Sequence, residues 1–186
     1  MKSVIKVYLD KDREFSEHGI MVKKFIWLGL LSAVLFGCSY SVYSNAYPHL
    51  KKIAVRAFDN QSTQFDLGDR VLNGLTNEFT QDGRLKLVTQ QPDCTLEGSI
   101  LSFEENVNNY DSGNNVLDYR LTLRCNVVMT DLINNEVIFD GKGLVLTEAY
   151  AVAPGSTAES ATKEEATDEL ITQLFEKIVQ NSLEKW

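Results

Sequence analysis

Thiol and imidazole chemistry is open to few side chains in this sequence: three cysteines, Cys38, Cys94 and Cys125, and two histidines, His18 and His49. Cys38 has the most informative surroundings. Met21-Val22-Lys23-Lys24 is followed by the mostly apolar run Phe25 to Leu35, then Phe36 and Gly37, then the cysteine. A basic start, a short apolar stretch and a small residue, in that order, are the layout of a secretory signal peptide with its cleavage site. The run is too short to span a bilayer, which takes about 20 apolar residues.

The tetrapeptide Leu35-Phe36-Gly37-Cys38 resembles the lipobox of bacterial lipoproteins, in which the cysteine thiol receives a diacylglyceryl group and the cysteine becomes the new N-terminus. That resemblance makes residues 21–37 a signal peptide and Cys38 the lipid-attachment residue, with no cofactor beyond the covalent diacylglycerol and N-acyl lipid. Ser39 follows, where an Asp would suggest retention at the inner membrane; by the same resemblance it implies lipid anchoring on the periplasmic side of the outer membrane. The plain alternative is a short anchor or buried helix with a chance cysteine. Residues 1–20, with Asp10, Lys11, Asp12, Arg13 and Glu14, are the wrong preface for export, so Met21 is the expected start.

The whole chain carries 18 Lys and Arg against 26 Asp and Glu, a net charge of −8. From Cys38 onward the balance is more acidic still, 12 against 22. Nucleic acid is excluded as a partner, because binding it requires a basic stripe that releases counterions from phosphate. Catalysis is not expected either. His18 falls before the cut, His49 sits beside Pro48 without a GxSxG nucleophile motif, and neither CxxC nor HExxH supplies a metal site. Cys94 and Cys125 remain, in an oxidising compartment if the chain is exported; a disulfide between them and two buried thiols are both open.

The residues after Cys38 suffice for one domain with one core. Residues 38–48 read as a tether and 49–186 as the domain. Leu50 to Phe58 alternates and reads as a strand. From Asp66, read as the N-cap, Leu67, Val71, Leu75 and Phe79 form the stripe of an amphipathic helix that Asp82-Gly83 ends. Leu85 to Thr89 is a short strand. Asp93 to Glu105 is another, with a bulge expected near Ile100, where Leu101 and Phe103 break the alternation. Asn106 to Asn115 reads as a loop or long turn. Val116 to Asp131 has the cleanest alternation, with Tyr119, Leu121, Leu123, Cys125, Val127 and Met129 against Arg120, Thr122, Arg124, Asn126, Val128 and Thr130. Residues 136–147 supply a strand interrupted by Gly141, and Ala153 to Thr157 a mobile loop by composition. From Thr162 a closing helix runs toward Trp186, with Ala166, Leu170, Ile171, Leu174, Phe175 and Ile178 on one side. The fold class is α+β: a two-layer sandwich, with two amphipathic helices on one face of a mixed sheet of four or five strands.

Several segments together resemble the lipopolysaccharide-assembly lipoprotein family (LptE-like). They are Cys38-Ser39-Tyr40, Pro48 to Val55, Phe58 to Thr63, Asp82-Gly83-Arg84-Leu85, Leu96 to Ile100, Tyr119 to Leu123, and the closing helix to Trp186. The resemblance implies an outer-membrane lipoprotein that plugs a β-barrel lipopolysaccharide translocon subunit (LptD-like), helps the barrel assemble and contacts lipopolysaccharide. An acidic domain would meet that anionic ligand through a local basic spot, for which Arg120 and Arg124 are the candidates; otherwise both are solvated sheet positions. The alternative role, from another class, is a regulatory lipoprotein that activates a peptidoglycan synthase, or a secretion-pore lipoprotein. About ten residues separate Cys38 from the first strand, a reach of roughly 35 Å, which favours work near the membrane.

Overall fold

The computed structural model describes residues 46–184. In chain order these form β1 (Lys52–Val55), β2 (Asp59–Asn60), α1 (Leu67–Asp82), β3 (Lys86–Leu87), β4 (Cys94–Tyr110), β5 (Val116–Asp131), β6 (Glu136–Ala151) and α2 (Lys163–Ser182). The expected extension, the signal peptide, Cys38, Ser39, the tether up to residue 45 and Trp186 lie outside the described residues.

The alternation of residues 116–131 carries over directly. Leu121, Leu123, Cys125, Val127 and Met129 are buried, and their even-numbered neighbours point to the other side of the sheet. β5 pairs antiparallel with β4 and with β6, while β1 runs parallel to both β3 and β4. The mixed sheet has six strands in the order β3-β1-β4-β5-β6, with β2 pairing β4 beyond the end of β1.

That extra strand arises from a break in the segment expected to be continuous from Leu50 to Phe58. Arg56 and Gln61 still bond to Leu96 and Ile100 of β4, but the backbone between them jogs and turns the Phe58 ring inward. The ring lies over Gly98, where an added Cβ would come within 2.6 Å of it and within 2.3 Å of the Asn126 carbonyl oxygen. The jog exchanges odd for even parity, so Ile53 and Phe58 both reach the core.

Both helices cover the same face. Leu67, Val71, Leu75 and Phe79 of α1 are buried, as are Ala166, Leu170, Ile171, Leu174, Phe175 and Ile178 of α2. The rings of Phe79 and Phe175 meet edge to face at 4.9 Å. Gly83 ends α1 in the left-handed conformation, φ 70°, donating its N–H to Phe79 O. Asp66 does not cap α1 with its side chain, because it has helical dihedrals and its carboxylate accepts from Gln64 Nε2. Thr162 is a true cap of α2: it is extended, its Oγ1 accepts from Glu165 N at 3.1 Å, and Glu165 Oε2 accepts from Ala161 N. α2 ends at Ser182, short of Trp186.

The bulge near Ile100 is present, with Leu101 unpaired between Ile100 and Ser102. The Asn-rich segment corrects an expectation. β4 continues through Asn106 to Tyr110, and the turn is only Asp111 to Asn115, held by Asp111 Oδ1 accepting from Gly113 N and Asn115 N. β6 is likewise continuous: it passes Gly141 by bulging at Lys142 and Gly143, where Gly143 has φ +61° and donates to Asn126 Oδ1. The segment after β6 is pinned, with Val152 N donating to Leu117 O and Ser156 Oγ to Asp118 Oδ2.

The longer β4 resets the hairpin register and separates the two cysteines. Cys94 stands opposite Asp131, and Cys125 opposite Ile100. Six residues along a strand is about 20 Å, whereas a disulfide requires Cα atoms about 4.4 to 6.8 Å apart. Both are free, buried thiols, and the bridge is not made.

Candidate functional site

Because β5 alternates, Arg120 and Arg124 project from the face opposite the helices. Arg120 stands between Asn106 of β4 and Ala149 of β6, and Arg124 between Ser102 and Val145. Both are exposed, and neither guanidinium makes an ion pair within 4.0 Å among the described residues. Four residues apart on one strand, they lie about 13 Å from each other. The helix-free face therefore presents two cations outside any close ion pair on an acidic domain, a spacing suited to two separate anionic groups on one ligand. Thr122 lies between them, with Glu104 opposite it.

His49 is placed at the end of the sheet where β1 begins. Its Nε2 donates to Asp131 Oδ2 at 2.6 Å, and Asn134 Nδ2 donates to the same oxygen at 2.9 Å. Asp131 Oδ1 accepts from Ile133 N and Asn134 N at 2.8 and 3.0 Å. The Asp131 side chain is fully buried. Burial alone would raise its pKa, but the bonds from His49, Asn134 and Ile133 outweigh it and hold the carboxyl below its ordinary 3.8.

Cys94 faces Asp131 in the ladder and donates its thiol to Lys52 O at 3.6 Å. Burial, together with the charges of Asp93 and Asp131, pushes this thiol up to about 12, and burial alone pushes Cys125 up to about 11. A nucleophile must be a thiolate, so neither cysteine is prepared to act with His49. The arrangement is a structural clasp between the start of the domain and the β5–β6 turn. Among the described residues no three His, Cys, Asp or Glu side chains converge to hold a metal.

A second buried carboxylate marks the opposite end of the sheet. Asp118 is fully buried and accepts from Asn108 Nδ2 at 2.6 Å, Asn109 Nδ2 at 3.0 Å and Ser156 Oγ at 2.9 Å. Burial raises its pKa, and these bonds together with the charge of Arg120 bring it below the ordinary value. Nearby, Glu105 joins Lys163 Nζ at 2.6 Å and accepts from the Tyr150 hydroxyl, while the Tyr119 and Tyr150 rings stack at 5.8 Å. Sequence reasoning missed both buried aspartates. Asp131 carried a signal, since it continues the odd-numbered apolar series of β5 at a core position.

Residues 50–182 match the family model described as LptE, lipopolysaccharide-assembly. No curated protein matches the chain in sequence. Among solved structures, the hypothetical protein CT253 from Chlamydia trachomatis is similar with 13% identity and a TM-score of 0.48, over 70% of this chain and 94% of that one. The PelC dodecamer subunit from Paraburkholderia phytofirmans gives 14% and 0.45, over 72% of this chain and 89% of that one. Rare lipoprotein B from Shewanella oneidensis gives 16% and 0.39, over 68% and 91%.

Proposed function

The chain belongs to the LptE lipopolysaccharide-assembly family, and from that membership we propose that it is a lipoprotein of the outer membrane, anchored through Cys38 on the periplasmic side. There it docks in the β-barrel subunit of the lipopolysaccharide translocon, supports the barrel's assembly, and meets lipopolysaccharide through Arg120 and Arg124. The observation that carries this reading is the extent of the family match, which reaches from residue 50, ahead of β1, to residue 182, the end of α2. The chemistry of the domain is consistent with a binding role, since the thiols are held protonated and the one described imidazole is engaged by a buried carboxylate. Among the described residues no helix is long and apolar enough to cross a membrane, so attachment in this reading rests on the Cys38 lipid.

Two guanidiniums outside any close ion pair on a helix-free face suit phosphate groups, because Arg presents a planar fork of donors to such oxyanions. The acidic remainder of the surface disfavours anions elsewhere and would confine the ligand to that strip.

The test is capture of the lipidated protein from detergent-extracted outer membrane, with the co-purifying barrel identified. Depletion in the same strain should lower folded translocon barrel and surface lipopolysaccharide while cell-wall synthesis proceeds. If peptidoglycan cross-linking falls first and the barrel is unaffected, the regulatory role replaces this one. Cys38→Ala should accumulate as an uncleaved precursor without lipid label; normal processing of that variant refutes the anchor.

A further inference from the structure

The β5–β6 turn carries two large apolar side chains where turns ordinarily place Asn, Asp, Gly or Ser. Leu132 is 46% exposed, Ile133 56%, and Val137, at the start of β6, 55%. Single exposed apolar residues are ordinary, but three within six residues at one corner form a patch. The patch stands on a fixed mount. Leu132 N donates to Asp93 O at 2.8 Å, and Ile133 N and Asn134 N donate to the buried Asp131 carboxylate. These bonds hold the backbone of a turn whose two side chains are exposed.

The same corner receives the chain from its N-terminal side. His49 bonds to Asp131, Lys51 N and Lys52 N donate to Asp93 Oδ2, and Ala46 N donates to Leu183 O. Seven residues separate Ala46 from Cys38, at most about 26 to 29 Å of extended chain. Three carboxylates of this corner are turned inward, Asp131 at 0% exposed, Asp93 at 15% and paired with Lys52, and Asp82 at 8% and paired with Arg84, while Glu136, beside Val137, is exposed. Within residues 131–137 Glu136 is the one exposed carboxylate, so repulsion by anionic headgroups from this turn is limited to a single charge.

We propose that, before the domain docks in its barrel, the Leu132–Ile133 turn inserts into the boundary between headgroups and acyl chains of the leaflet that holds the Cys38 lipid. This gives the domain a second, shallow foothold that fixes which end faces the membrane. The inference rests on the reading of Cys38 as lipid-attached. A lipid on a short connection keeps the turn near the bilayer at an effective concentration on the order of mM, so two apolar side chains suffice where they would not bind from solution.

The lipidated mature protein in vesicles of phosphatidylethanolamine and phosphatidylglycerol provides the test. With Trp186→Phe, the substitution Ile133→Trp leaves one tryptophan after Cys38, and Leu132→Trp repeats the measurement one residue away. Circular dichroism checks that each variant is folded. The expected result is blue-shifted emission on vesicles, quenched by phospholipids brominated near the top of the acyl chains. Protein that floats with the vesicles but emits as in water overturns the inference and leaves the anchor standing. Protein that does not float overturns both. A shift seen only after a barrel protein is added assigns the patch to a protein contact and also overturns the membrane foothold.

Discussion

Replacing Asp131 tests the clasp between the start of the domain and the β5–β6 turn. Its carboxylate accepts four hydrogen bonds, from His49 Nε2, Asn134 Nδ2, Ile133 N and Asn134 N. Bonds to a buried charge are worth about 1.5 to 3 kcal/mol each, but these donors belong to residues at the surface; the His49 side chain, for instance, is 35% exposed. Water can take over most of them, which brings Asp131→Ala to about 2 to 4 kcal/mol, or roughly 5 to 15 °C in melting temperature for a domain of this size. Asp131→Asn keeps one acceptor for the two backbone N–H groups, and the imidazole can change tautomer to accept from the new amide. The charge and the bond from Asn134 Nδ2 are lost, at about 1 to 3 kcal/mol. The wild-type advantage also depends on pH. The Asp131 pKa is lower in the folded state than its ordinary 3.8, so the stabilisation is complete above that value and fades as pH falls through the lowered one. Urea unfolding of all three proteins at neutral and acid pH should show the Ala variant weakest and the gap between wild type and Asn closing in acid. Equal losses in the two variants, or a gap that widens in acid, would refute the role given to the carboxylate.

Three further outcomes follow from the same geometry. Gly98→Ala should lower the unfolding free energy by about 1 to 3 kcal/mol, seen as a lower urea midpoint with an unchanged slope, because the added Cβ meets the Asn126 carbonyl as well as the movable Phe58 ring; a neutral effect would mean that the jog between β1 and β2 relaxes freely. In protein with Cys38 removed, Cys94 and Cys125 should resist thiol reagents at neutral pH while folded and both react once unfolded, in accord with pKa values pushed to about 12 and 11; recovery of a Cys94–Cys125 linked peptide would contradict the register. Arg120→Gln combined with Arg124→Gln should change stability by no more than about 1 kcal/mol, since both are exposed, while sharply reducing photo-crosslinking to lipopolysaccharide; undiminished crosslinking would move the contact elsewhere.

Where one physical requirement controls a residue, the sequence was readable. β5 must bury one face and wet the other, so its period of two survives intact, and each helix must bury one stripe, so Leu67 to Phe79 and Ala166 to Ile178 were identifiable residue by residue. Reading failed where a residue type serves a partner far along the chain. Asn108 and Asn109 have the composition of a turn, yet they lie in or beside the ladder and donate to the buried Asp118. Their satisfaction requires β4 to continue to Tyr110, and that extension sets the pairing of every residue behind it, Cys94 and Cys125 included. Gly98 has the parity of the buried Leu96 and Ile100 in β4, but only the path of the chain between β1 and β2 shows that its missing side chain accommodates Phe58. The candidate site divides in the same way. That Arg120 and Arg124 share the helix-free face followed from parity alone. Asp131 and Asp118 did not, because a buried carboxylate is tolerated only when several donors converge on it, and those donors come from residues 49, 133 and 134 in one case and 108, 109 and 156 in the other. Each aspartate therefore joins segments that periodicity treats separately, one where the chain enters the domain and one where the β4–β5 hairpin meets the segment leading into α2. The extended strands between them leave the helix-free face as a single sheet surface, on which two cations can act together.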